Sequence, residues 1–275
     1  MRAFAGEPLA GQSRITLSML HLLKRHPLPV RAFFRQCLVL TYAFPERVLV
    51  PLLPPGLTLD SYKGLGFLAI AMVQTEKLRP VGVPAALGQD FFLTGYRIFS
   101  RFRTATGRTL RGLRILRSDA DRELMVAAGN LLTHYHYVKC DARVREDDGK
   151  LEVKIDTGGE ADLHVIADLA GKPAPLPAGS PFPTLQEARK FAGPLPYTFD
   201  YEPETHSIVR IQGVRQRWNP EPVAVEVREC AFLTREPFAR EQPVLANAFH
   251  LQDVPYRWER GVTEPLPRTA EETRP

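Results

Sequence analysis

Three cysteines, at positions 37, 140 and 230, are too few and too far apart for a disulfide framework. No C-x-x-C pair exists to seed a zinc ribbon. Long apolar runs are also missing: the N-terminal "ITLSMLHLLKRH" is broken by Thr16, Ser18 and His21 and is too short to span a bilayer. It is not followed by a small-residue cleavage site, so neither a signal peptide nor a membrane anchor is predicted, and the expected compartment is the cytoplasm. There is no P-loop and no G-x-S-x-G elbow. "GLGFLA", residues 64–69, has the outline of a dinucleotide fingerprint but precedes the β-type "IAMV" instead of a helix, so no nucleotide cofactor is expected. No cofactor of any other kind is called for.

What is present reads as mainly β. Twenty-five prolines favour short strands and long connections over a helical bundle. Strands are predicted in "QCLVLTYAF", "GFLAIAMVQTEKL", "YRIFSRFRT" and "HYHYVKCDARVRE", then in "KLEVKID", "ADLHVIADL", "SIVRIQGVRQRW", "VAVEVRECAFL" and "FHLQDVPYRW". Helices are predicted around Leu17–Leu23, from Glu46 to Leu53, over "ADRELMVAAGNLL" with Gly129 as a stop, and over "LQEARKFA" behind a Thr184–Glu187 capping box. Asp148-Gly149 marks a hairpin turn, and 171–183 reads as a loop. The fold class is therefore α+β, mainly β, largely antiparallel. Residues 1–30 form an N-terminal extension, 31–261 a single domain and 262–275 a flexible tail.

The net charge of +5 suits an anionic small molecule, a nucleic acid or a membrane surface alike. Arginines at 97, 101, 103, 108, 111, 114 and 117 read as the solvated face of a hairpin, with Arg97 the one able to turn inward. Phe99 and Phe102 fall on opposite faces and form no stacking platform, so a nucleic-acid partner is not expected. In "LTHYHYVKCD", residues 131–140, His134 and His136 share one strand face and could ligate one ion. The next glutamate is only Glu146, so the expected metal is none, with partly exposed strand histidines as the plain reading.

The stretch 35–60, "RQCLVLTYAFPERVLVPLLPPGLTLD", resembles the opening of acetoacetate decarboxylase and its uncharacterised bacterial relatives. Arg35, Tyr42, Pro54, Leu57 and Asp60 fall at the decarboxylase spacing, and "LLPPGL" is typical of the relatives. The resemblance implies a largely antiparallel closed barrel around a small apolar cavity, with a few peripheral helices. In the decarboxylases a lysine, its ammonium pKa depressed by a neighbouring lysine and an apolar pocket, forms a Schiff base with a keto acid. Here that lysine pair falls on Tyr135 and His136, and the family's glutamate on Leu68, so Schiff-base decarboxylation is not expected.

If Tyr135 takes the lysine's inward place, alternation puts Tyr137 and Lys139 on the same face and points His134 and His136 away. The site predicted on this basis has Tyr135, Lys139 and His136 as acid/base groups and Arg35, Tyr42 and Arg97 as substrate-binding groups, around a small carboxylate- or carbonyl-bearing molecule. A non-catalytic ligand-binding or regulatory protein, and a cupin-like metal enzyme using the histidine pair, stay open as alternatives. So does a homo-oligomer.

Overall fold

The computed structural model describes residues 20–193, 195–216 and 218–267. Fifteen strands dominate it: β1 (Val30–Pro45), β2 (Leu57–Leu59), β3 (Leu65–Pro80), β4 (Gln89–Arg103), β5 (Thr109–Ala120), β6 (Tyr137–Lys139), β7 (Asp141–Asp147), β8 (Lys150–Asp156), β9 (Leu163–Asp168), β10 (Tyr197–Glu202), β11 (Ser207–Arg215), β12 (Glu221–Pro222), β13 (Ala224–Cys230), β14 (Val244–Trp258) and β15 (Val262–Pro265). Eleven of them form one sheet, in the order β12-β14-β1-β3-β4-β5-β10-β11-β15, with β2 on β4 and β6 on β5. The path returns on itself, because Gly213–Arg215 of β11 also pair with Tyr256–Trp258 of β14. The remaining four make a second sheet, β13-β9-β8-β7.

The long strands are apolar on both faces because each face meets a core. On β1, Leu38, Leu40, Tyr42 and Phe44 pack towards the small sheet, against Val153, Ile155 and Val165. Cys37, Val39 and Ala43 face the other way, with Phe67, Ala71 and Phe249. Each fully buried branched side chain contributes about 1.5–3 kcal/mol, so two cores sharing one sheet account for the unbroken run "CLVLTYAF" where a half-exposed strand would alternate. The small sheet does alternate: Leu151, Val153 and Ile155 are buried while Glu152 and Lys154 are not.

Most predicted elements are present. A helix spans Glu46–Leu49 and continues as a 3-10 turn to Leu52. Thr184 Oγ1 accepts a hydrogen bond from Glu187 N at 3.1 Å and caps the helix Leu185–Ala192. Four expectations are corrected. Gly129 does not stop its helix, which runs Glu123–Leu132; it stays inside because a Cβ there would lie 2.3 Å from the Tyr137 ring. Residues 133–136 are not strand, since His136 takes φ 50° and β6 begins only at Tyr137. Val262–Pro265 does not fray but pairs with Ser207–Arg210. The hairpin arginines are not merely solvated: Arg101 and Arg111 both bind the buried Asp60, Arg114 pairs with Asp200, and Arg117 with Asp119 and Glu160. The N-terminal helix is a 3-10 turn over Leu20–Arg25; its predicted start at Leu17 and the rest of 1–19 lie outside the described residues, as does the tail from 268.

Asp119 generates a pH prediction. Burial lifts its carboxyl to about 6, against the opposing pull of Arg117. Its pKa is thus higher folded than unfolded (about 3.9), so the folded state binds the extra proton between these values and stability falls as pH rises through that window. Asp119→Asn should flatten this part of the profile and stabilise the protein at pH 7 relative to wild type. Urea unfolding at pH 4, 5, 6 and 7 measures it, and an unchanged difference between the two proteins across that range refutes the assignment.

Candidate functional site

A cavity of about 310 Å³ opens on the face of the large sheet opposite the small one. β1, β3, β4, β5, β11 and β14 supply its wall, and the helix Glu123–Leu132 and residues 26–28 help enclose it. The wall is mostly apolar: Val39, Ala71, Val73, Ile115 and Phe249 are typical. Against it stand Arg97 and Arg215, the phenols of Tyr135, Tyr137 and Tyr256, and the thiol of Cys37; a third arginine, Arg79, lines one end, its guanidinium bound to the carbonyls of Val83 and Lys77. Among the described lining residues there is no Asp, Glu or Lys.

Arg97 faces inward because odd-numbered residues of β4, from Phe91 through Leu93 to Phe99, line this face. Its guanidinium folds back over Gly95, where a Cβ would come within 2.8 Å of Nε. That Nε is fully buried with no hydrogen-bond partner, and among the described residues no carboxylate pairs with the group. Arg215 is arranged differently: it hydrogen-bonds the Tyr256 phenol and lies over the Trp218 ring at 4.5 Å. Tyr256 in turn needs Gly213, whose Cβ would sit 2.0 Å from the phenol oxygen.

Tyr135 is placed by the end of its helix. Thr133 N donates to the Gly129 carbonyl at 2.9 Å, closing the last turn, and the Thr133 hydroxyl accepts from Tyr135 N. The Asn130 side chain then clips both backbone groups of Tyr137, at 2.8 Å each. Ser118 N donates to the His136 carbonyl, laying the segment beside β5. Tyr135 and Tyr137 therefore share the cavity, and the Tyr135 hydroxyl bonds Thr198 Oγ1 at 2.6 Å.

Electrostatics give these groups one common character. Burial raises the pKa of Tyr135 and Tyr256, and pushes Tyr137 and Cys37 up to about 12. Burial also lowers His26, which lines the cavity, so its imidazole is neutral at physiological pH. Arginine stays charged. Near neutral pH the wall thus carries cations and hydrogen-bond donors and no anion, which suits an anionic or carbonyl-bearing guest.

Of the predicted site residues, the structure brings Arg97 and Tyr135 together. Arg35 is excluded: a register shift between Phe34 and Gln36 on the β3 side keeps Phe34 and Cys37 inward and turns Arg35 out, where it binds Glu76 and Asp253. Tyr42 and Leu68, paired across β1 and β3, face the core between the sheets. Lys139 bonds the Cys140 carbonyl and Asp141, away from the cavity. His136 is also outside, near Arg114 and Lys24, and His134 lies 4.0 Å from Glu202. Among the described residues no group of three His, Cys, Asp or Glu could hold a metal ion. Arg215, Tyr256 and His26 were missed, since each comes from a segment distant in sequence: ring closure assembles the first two, and His26 is held by its backbone N–H donating to the Leu132 carbonyl.

A family model of uncharacterised conserved proteins, DUF2071, matches residues 31–253, and the chain belongs to that family. No curated protein matches it in sequence. Solved structures share its fold at low identity. Acetoacetate decarboxylase from Legionella pneumophila is 13% identical, with a TM-score of 0.56 over 86% of this chain and 87% of that one. The enduracididine biosynthesis enzyme MppR, complexed with pyruvate, is 12% identical, with a TM-score of 0.55 over 86% and 90%. An acetoacetate decarboxylase-like enzyme from Sphingomonas wittichii RW1 is 14% identical, with a TM-score of 0.54 over 88% and 94%. The chain thus has the fold of acetoacetate decarboxylase and of acetoacetate decarboxylase-like structures.

The close approach at Gly213 is directly testable. Gly213→Ala should force Tyr256 off Arg215 and cost about 1–3 kcal/mol, the usual penalty of overpacking. Urea unfolding reads the loss; if stability is unchanged, Tyr256 does not occupy the space described.

Proposed function

We propose that this DUF2071 member binds a small organic carboxylate, the ring of strands serving as a closed barrel around it. The observation that carries the reading is Arg97, a guanidinium without a counter-charge inside an apolar cavity. Arg97 is partly buried with its Nε unpartnered, so an anion entering the cavity gains a charge-assisted hydrogen bond that nothing else there supplies. Arg97 takes the carboxylate, and the Tyr135 phenol, protonated at all physiological pH, donates to a neighbouring carbonyl or hydroxyl of the guest. Pyruvate, the ligand of the structurally similar MppR, has this pairing of groups. No lysine lines the cavity among the described residues, so imine chemistry has no amine to start from.

Catalysis by proton transfer is a second reading, favoured by His26. Its Nδ1 is buried without a partner, and among the described lining residues it alone can accept a proton near neutral pH. In that case the guest's carbonyl is polarised by Arg97 and Tyr135 while His26 removes a proton beside it. Without His26 chemistry the same cavity is a binding protein. The proposed setting for either is the cytoplasm, consistent with cysteines that are all free.

Thermal-shift titration with pyruvate, 2-oxobutyrate and acetoacetate tests the assignment. Wild type and Arg35→Ala should be stabilised alike, whereas Arg97→Gln should lose the effect and Tyr135→Phe should reduce it by roughly 0.5–1.5 kcal/mol, one hydrogen bond. Stabilisation that survives Arg97→Gln sinks the carboxylate assignment. Borohydride reduction in the presence of the same acids should leave the protein mass unchanged; a covalent adduct on any lysine would restore the Schiff-base route.

A further inference from the structure

We infer that the guest is an amphipathic carboxylate with a hydrocarbon body of several carbons, held in a channel that runs along the strands; this rests on the carboxylate reading above. The wall contributed by β4 runs from Gln89 to Phe99, its apolar part starting at Phe91. From Phe91 on, eight steps at about 3.3 Å each make a span of up to roughly 26 Å. β3 lines the cavity from Ala69 to Pro80, and β14 from Phe249 to Trp258. A volume of about 310 Å³ drawn out along such walls is a narrow channel, not a round chamber. At the ~30 Å³ share of one water molecule it has room for about ten non-hydrogen atoms, well beyond a three-carbon oxo acid.

Polarity along the channel is uneven. The Arg97 guanidinium lies over Gly95, which pairs with Ala71, and its field reaches Cys37, Tyr135, Tyr137 and Tyr256. Beyond Gly95 towards Phe91 the inward residues of β4 are Leu93 and Phe91, facing Val73, Thr75 and Leu78 on β3. Met125 and Leu132 of the neighbouring helix line the channel too. Three polar side chains stand at that end: Thr75, whose hydroxyl is buried without a partner, and beyond Phe91 Gln89 and Arg79, the guanidinium of Arg79 being held by the carbonyls of Val83 and Lys77. Leu28, also on the wall, is 56% exposed and makes the boundary with solvent apolar as well. A charge at one place and about four residues of apolar wall beyond it match a head group and a tail.

A chain-length series tests this on the intact protein. Calorimetric titration with straight-chain carboxylates from acetate to dodecanoate should show affinity rising about fourfold per methylene, then levelling once the channel is full, near ten carbons. Primary alcohols of equal length should bind at least tenfold more weakly, and Arg97→Gln should bring the acids down to the alcohols. Val73→Phe should move the plateau to shorter acids without affecting butyrate. The inference is overturned if pyruvate and acetoacetate bind while octanoate does not, an outcome that leaves the carboxylate site standing. If no acid of any length binds wild type, the carboxylate reading falls with it.

Discussion

An arginine side chain kept without a counter-charge in an apolar cavity is the constraint around which the rest of this protein is arranged. In a low-dielectric surrounding such a group is costly, and single-residue ionic gains at an exposed surface, at most about 1 kcal/mol, do not offset it. The fold manages the cost by geometry. Gly95 leaves room for Arg97 to lie against the sheet, and Arg97 faces a space wide enough to admit solvent or a ligand. Every other cation on the same hairpin that turns towards protein finds a carboxylate: Arg101 and Arg111 share Asp60, Arg114 has Asp200, Arg117 has Asp119. Arg97 is set apart from that pattern, which is why the proposed function rests on it and not on the density of arginine around it.

Bulges decide which of these arginines is which. Between Tyr96 and Arg97 the β4–β5 register slips by one residue, so that Tyr96 faces Arg117 while Arg97 faces Ile115. Leu113 and Ile115 line the cavity before the slip and Ser118 after it, so Arg114 and Arg117 both turn away from the cavity. The slip at Arg35 works the same way on β1. One extra residue thus moves a charge from the cavity to the surface, where ion pairs with Glu76 and Asp253 occupy it.

Much of the fold was legible because burial on one or two faces leaves a pattern in composition. The runs around Cys37–Phe44 and Phe67–Val73, the T-x-x-E cap at Thr184 and the Asp148-Gly149 turn are local signals with local causes. The candidate site was legible only in part. Arg97 faces the cavity from an uninterrupted odd-numbered face, as alternation allows, whereas Tyr135 reaches it from a helix end and not, as expected, from a strand. Arg35 and Tyr42 lie elsewhere for two separate reasons: a bulge that alternation cannot foresee, and a second sheet whose core takes the face that would otherwise line the cavity; Lys139 is held outside by the Cys140 carbonyl and Asp141. Arg215 and Tyr256 come together through the pairing of β11 with β14, a contact between segments that nothing in either one announces.

The resemblance that sets Tyr135 against the decarboxylase lysine implies a different kind of chemistry, not merely a different rate. A lysine in an apolar pocket is useful because burial frees its lone pair. The same burial acts on a phenol in the opposite sense, holding Tyr135 protonated and turning it into a permanent donor. Cys37, the other nucleophile on the wall, is neutralised in the same way with its thiol lifted to about 12. Desolvation thus disarms each covalent catalyst in the cavity and leaves intact the groups that act through field and hydrogen bonds. Such a wall stabilises negative charge on a guest without forming a bond to it: a carboxylate in the ground state, or an enolate if His26 supplies the base.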